Sequence, residues 1–178
     1  MKAYIIIIIA LFLMSGLSAQ ERSKNKETKE EKTVRIESEY QSLAQIIVDK
    51  QFILQADYRS NKYGYRLPVP STLNFIMVDS AIAVIQTGSN TRVGFNGVGG
   101  ITAEGRISKW KVVKDIKRKS FLITMNVSTS LGYYDIFINV SASGNASATI
   151  SGTTSGKLIY HGRLLSFPES RVFQGSKI

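Results

Sequence analysis

The sequence predicts an all-β fold, an antiparallel sandwich or open barrel with one short N-terminal helix. Three observations carry that prediction. Apolar and polar residues alternate with period two over most of the chain after Phe52. Turn signals such as Leu131-Gly132 and Ser143-Gly144-Asn145 cut the pattern into short runs. No helical period separates those runs, so neighbouring strands are joined by tight turns and not by the crossover helices a parallel sheet needs.

The ends of the chain set the frame. Lys2 precedes an unbroken apolar run, Ala3 to Met14, and Ser15, Gly16, Ser18 and Ala19 follow as small residues. This order is that of a secretory signal peptide, residues 1–19, cleaved near Ala19 and leaving no transmembrane anchor. Residues 20–33, QERSKNKETKEEKT, carry nine charges and no large apolar side chain. They are expected to be a disordered charged tether, because they cannot bury enough surface to offset ordering entropy. Residues 34–178 then form a single β-rich domain long enough for a core of its own. The chain has no cysteine and one histidine, which excludes disulfides, thiolate nucleophiles and His-rich metal sites. The formal net charge is +10; removing Lys2 and the tether's net +1 leaves 10 − 1 − 1 = +8 on the domain.

The elements follow in order. Ser38 is placed to cap a helix in which Tyr40, Leu43, Ile46 and Ile47 form a narrow apolar stripe. Phe52, Leu54, Ala56 and Tyr58 alternate with Ile53, Gln55, Asp57 and Arg59 as a first strand. Residues 60–72, with Gly64, Pro68 and Pro70, are expected to be a long irregular loop. Leu73–Val78 and Ile82–Thr87 form a hairpin around Asp79-Ser80-Ala81. Five further strands are predicted at 107–114, 121–129, 133–142, 146–151 and 157–164, with Phe121, Ile123, Met125 and Val127 on one face of theirs.

Gly94, Gly97, Gly99, Gly100 and Gly105 crowd twelve positions. A dinucleotide fingerprint would need a third glycine at position 102 and a helix behind it, but Ile101-Thr102-Ala103-Glu104 reads as a strand. The cluster is therefore read as a corner at which the chain turns between sheets.

Two surface clusters stand out as candidate ligand-binding residues. From Arg106 to Lys119 there are seven basic side chains and one acid, with Trp110 among them. Here Arg106, Lys109, Trp110, Lys111 and Lys117 suggest an anionic-ligand ridge with an aromatic platform. Strict alternation puts Arg106, Trp110 and Lys114 on one face and Lys109 and Lys111 on the other. The structural alternative is that the lysines shield an edge strand while Trp110 fills the core. The second cluster, Tyr63, Tyr65 and Arg66, interleaves aromatics and cations on a loop suited to sugars or a protein partner. No catalytic residue, cofactor or metal site is read. A hydrolase of envelope polymers would need at least two of Asp57, Glu104 and Asp135 to meet in one cleft, and His161 has no recognisable nucleophile motif beside it.

The stretches Phe52–Asp57, Thr72–Phe75, Asn96–Ile101, Glu104–Arg106 and Glu169–Gly175, behind a signal peptide, resemble a family of small exported bacterial proteins known only as a domain of unknown function, number 4251. The resemblance implies an all-β exported domain and supplies no activity, cofactor or site residue. The expected function is a non-catalytic periplasmic or secreted binding or envelope-associated module. Its expected partners are an anionic glycan, a lipid surface or an envelope protein, not nucleic acid.

Overall fold

In the computed structural model, residues 28–91, 93–152 and 156–177 are described. The predicted signal peptide and residues 20–27 of the predicted tether lie outside them. Helix α1 spans Lys29–Val48, twenty residues, and so begins inside the stretch expected to be disordered, well before Ser38. Its start is a reciprocal cap. The Glu31 amide donates to Thr28 Oγ1 at 3.2 Å and the Thr28 amide to Glu31 Oε2 at 2.8 Å. Farther along, Arg35 pairs with Glu39 at 2.7 Å, and Gln41 donates to Glu37 one turn earlier. These one-turn pairs extend a helix that its narrow apolar stripe alone did not mark. Lys50, in the left-handed region at φ 54°, ends it and turns the chain into the first strand.

Nine strands follow: β1 Gln51–Asn61, β2 Arg66–Pro68, β3 Phe75–Asp79, β4 Ile82–Thr87, β5 Ile101–Asp115, β6 Ser120–Thr129, β7 Gly132–Ser141, β8 Asn145–Gly152 and β9 Lys157–Leu165. All are antiparallel neighbours in one sheet, and β9 pairs back onto β1 through Leu54↔Leu164 and Ala56↔Gly162. The sheet therefore closes into an eight-stranded barrel of β1 and β3–β9, in place of the expected sandwich or open barrel. The expected loop 60–72 contains β2, a three-residue strand on the second half of β1, whose first half pairs with β3.

The inward residues fill the barrel. Phe52, Leu54, Ile76, Phe121, Ile123, Met125, Ile136, Ile138 and Tyr160 are all buried in one cluster. Tyr40, Leu43 and Ile47 of α1 join it, with Tyr40 stacked on Phe121 at a ring separation of 4.8 Å. The helix thus plugs the end of the barrel where β1 starts and β9 finishes. A smaller cluster, Ile53, Phe75 and Val84, sits on the outer wall and is covered by Phe167 and Val172 of the C-terminal segment.

The glycine-rich stretch links β4 to β5 within this one sheet, not one sheet to another. Gly94, Gly97 and Gly99 have positive φ, and β5 begins directly at Ile101 with no helix. A buried polar network holds the loop. Asn96 donates to Thr102 Oγ1 at 3.0 Å and to the Thr87 carbonyl at 3.1 Å, and its Oδ1 accepts from Gly100 N. Thr102 donates to Gln86 Oε1, which also accepts from Gly175 N, while Gln86 Nε2 donates to the Phe173 carbonyl. One buried amide side chain therefore ties the loop to the C-terminal segment.

Two bulges change which way side chains face. Ser108 is an extra residue in β5 and Asp57 in β1. Beyond Ser108 the parity switches, so Arg106 shares the outer wall with Lys109 and Lys111, while Trp110, paired with Met125, faces inward. Beyond Asp57, Tyr58 lies outside, opposite His161, and does not continue the inward row of Leu54 and Ala56.

Candidate functional site

A concavity of about 470 Å³ lies on the outer wall formed by β1, β2, β7, β8 and β9. Tyr58 and Arg66 border one side, His161 and Arg163 the middle, and Asn139 and Ser147 the other. The register explains the convergence. Ser60 pairs with Arg66 on β2 and with Ile159 on β9, and His161 pairs with both Tyr58 and Ser147. Alternate residues of adjacent strands share a face, so side chains about a hundred residues apart in sequence meet.

Each member is positioned by a neighbour. The Arg66 guanidinium lies 4.0 Å from the centre of the Tyr58 ring, which orients both. Ser60 Oγ and His161 Nε2 are 3.1 Å apart. Partial burial, then the nearby Arg66 charge, holds the His161 pKa below its ordinary 6.5, so the ring is neutral at pH 7. Among the described residues neither Arg66 nor Arg163 forms a salt bridge. The groove also holds one carboxylate, Asp57, at the bulge. Two guanidinium groups, a phenol face and the amide and hydroxyl groups of Asn139, Ser141, Asn145 and Ser147 make a surface for a hydroxyl-rich ligand carrying negative charge.

The eight residues singled out from the sequence are dispersed. Arg106, Lys109 and Lys111 stand on the outer wall of β5, which is four strands from β9 either way round the barrel and so opposite the groove. Trp110 packs against the core, 6.2 Å from Phe52, with Lys50 Nζ 5.2 Å from its ring centre; it is not an exposed platform. Lys117 belongs to the β5–β6 turn at the helix-plugged end. Tyr63 and Tyr65 are exposed at the tip of the β1–β2 hairpin, and of the eight only Arg66 lines the groove. Sequence reasoning missed Arg163 as a site residue; only the pairing of β9 with β1 and β8 could have revealed it.

The three carboxylates a hydrolase would need do not converge. Asp57 lies in the groove, Glu104 pairs with Lys177 at 2.6 Å, and Asp135 accepts from Asn126. Among the described residues no three His, Asp or Glu side chains cluster as metal ligands.

Residues 34–164 match the model of a family described as a domain of unknown function, DUF4251. Among solved structures, the crystal structure of a DUF4251 family protein from Bacteroides eggerthii DSM 20697, at 1.95 Å resolution, is similar. It is 27% identical, with a TM-score of 0.64, and the match covers 76% of this chain and 93% of that one. No protein with a curated description matches the chain.

Proposed function

The chain belongs to the DUF4251 family, and we propose, from its own geometry, that it is a non-catalytic exported module that binds an anionic saccharide in the groove around His161. The observation that carries this reading is the convergence of Arg66 and Arg163, neither in a salt bridge among the described residues, with Tyr58 and a row of Asn and Ser side chains on one concave wall. Guanidinium groups recognise carboxylate or phosphate in a bidentate way. Tyrosine faces and amide side chains suit sugar rings and hydroxyls. The leader-like residues 1–19 favour export, where such polymers are exposed. The separation of Asp57, Glu104 and Asp135 favours binding over hydrolysis.

The test is calorimetry with uronic-acid oligosaccharides and with their neutral counterparts. Binding of the acidic form alone is expected, weakened about tenfold by Arg163→Ala and by Arg66→Ala, in line with the loss of one charge-assisted contact of about 1.5–3 kcal/mol. Equal binding of neutral and acidic sugars, or undiminished binding by both variants, rules the reading out.

A further inference from the structure

The barrel's two ends differ in chemistry. At the helix-plugged end the turns carry Asp49, Asp79 and Asp115. At the opposite end the described residues of the connections 61–66, 88–100, 130–132 and 152–157 include no Asp or Glu, while Lys62, Arg66 and Lys157 fall within them. The same end displays apolar side chains to solvent: Tyr63 and Tyr65 are each 74% exposed and Phe95 83%. Val93 and, at the start of β7, Tyr133 are also exposed.

These side chains are held out by ordered backbone. Asn61 Oδ1 accepts from the amides of both Tyr63 and Tyr65, at 3.0 and 3.2 Å, fixing the hairpin tip. Phe95 directly precedes Asn96, whose buried side chain anchors the glycine loop, and the Phe95 amide donates to the Gly100 carbonyl. An almost fully exposed phenylalanine next to a buried anchor is apolar surface presented outward.

We propose that this acid-free end docks on the surface of an anionic lipid bilayer, with Tyr63, Tyr65 and Phe95 entering the headgroup region. The aromatics stand on two separate loops at the barrel mouth, Tyr63 and Tyr65 on the β1–β2 hairpin and Phe95 between β4 and β5, an arrangement that a deformable plane accommodates better than a folded partner requiring one continuous patch. Tyrosine and phenylalanine insert at the level of the headgroups, and each nearby cation adds attraction to anionic lipid. None of the three aromatics lines the groove, so the serine changes test this surface apart from saccharide binding, although Arg66 borders both.

The protein as exported and processed by a bacterial host is sedimented with phosphatidylcholine vesicles and with vesicles holding about 30 mol % phosphatidylglycerol. Binding to the anionic vesicles, weakening as salt rises, is expected. Combined Tyr63→Ser, Tyr65→Ser and Phe95→Ser changes should lower that affinity about tenfold or more at an unchanged melting temperature. Lys114→Ala with Lys117→Ala, at the plugged end, should leave it unchanged. If the triple variant melts lower, Phe95→Ser alone is read in its place. The proposal is overturned by no binding to anionic vesicles at low salt, by wild-type binding of the serine variant, or by an equal loss in the lysine variant. It is equally overturned if a soluble anionic polysaccharide binds as well as the vesicles and the serine changes weaken both alike, which would mark a general polyanion site.

Discussion

The phenol of Tyr160 on β9 donates a 2.6 Å hydrogen bond to the main-chain carbonyl of Gln86 on β4. β1 and β3 lie between these strands, so the bond crosses the barrel interior. Tyr160→Phe removes the donor and with it this bond across the interior. A loss of about 1–3 kcal/mol is expected, read as a lower urea midpoint at unchanged slope. Burial also raises the Tyr160 pKa above its ordinary 10.0, with the Arg59 charge opposing. A raised folded-state pKa contributes stability below the unfolded value that is lost as pH climbs past it. The wild type should therefore weaken above about pH 10, and the Phe variant should lack that part of the loss.

Gly162 closes the barrel seam. A Cβ added there would lie 1.8 Å from the Gln55 carbonyl oxygen on β1, closer than any real contact. Gly162→Ala must push β9 from β1, and a destabilisation beyond about 3 kcal/mol is expected, comparable to the most damaging single changes. Gly156→Ala, where the added atom meets open space, is the control and should melt near wild type. Similar melting of both variants would contradict the seam.

His161 is the sole histidine, so its imidazole protons give one resolved titration. Partial burial, with Arg66 second, places the midpoint below 6.5. Because the folded pKa is depressed, its stability contribution is complete above 6.5 and lost as pH falls through the folded value. Protonation also adds a positive charge beside Arg66 and Arg163, so anionic saccharide binding should strengthen over the same acidic range. In His161→Gln both pH dependences should disappear. A midpoint at or above 6.5 would show that the ring is not shielded as the structure has it.

Leu43, buried on α1, packs into the barrel core beside Tyr40 and Ile47. Leu43→Ala should cost about 2–5 kcal/mol, the range for a large-to-small change in a packed core. Val48→Ala, on the exposed end of the same helix, should cost far less. Equal losses would mean that the helix does not plug the barrel.

Local pattern and long-range closure divide what was legible in the sequence. The row Phe121, Ile123, Met125 and Val127 follows strict alternation, and the structure places it together in the core. Alternation misleads at Tyr58 and Arg106 because one extra residue, Asp57 or Ser108, reverses the faces without a distinctive side chain to announce it. The helix start was present as Thr28-Lys-Glu-Glu31, a capping signal obscured by the charge density around it. Arg66 was visible as part of a loop of aromatics and cations, but Arg163 became a neighbour only through the β1–β9 and β8–β9 pairings. Asn96–Ile101 and Glu169–Gly175, stretches that carried the family resemblance, are joined through Gln86.

Beyond Arg106, β5 has a ladder partner on its β6 side only, because β4 begins at Ile82. Lys109, Lys111 and Lys114 are exposed along that stretch. A bare strand margin of this length would otherwise nucleate sheet growth from molecule to molecule. Closely spaced ammonium groups make the approach of an identical copy electrostatically unfavourable. Through this repulsion the lysines oppose fibrillar stacking, and their replacement by valine is expected to favour growth from one barrel's margin to the next.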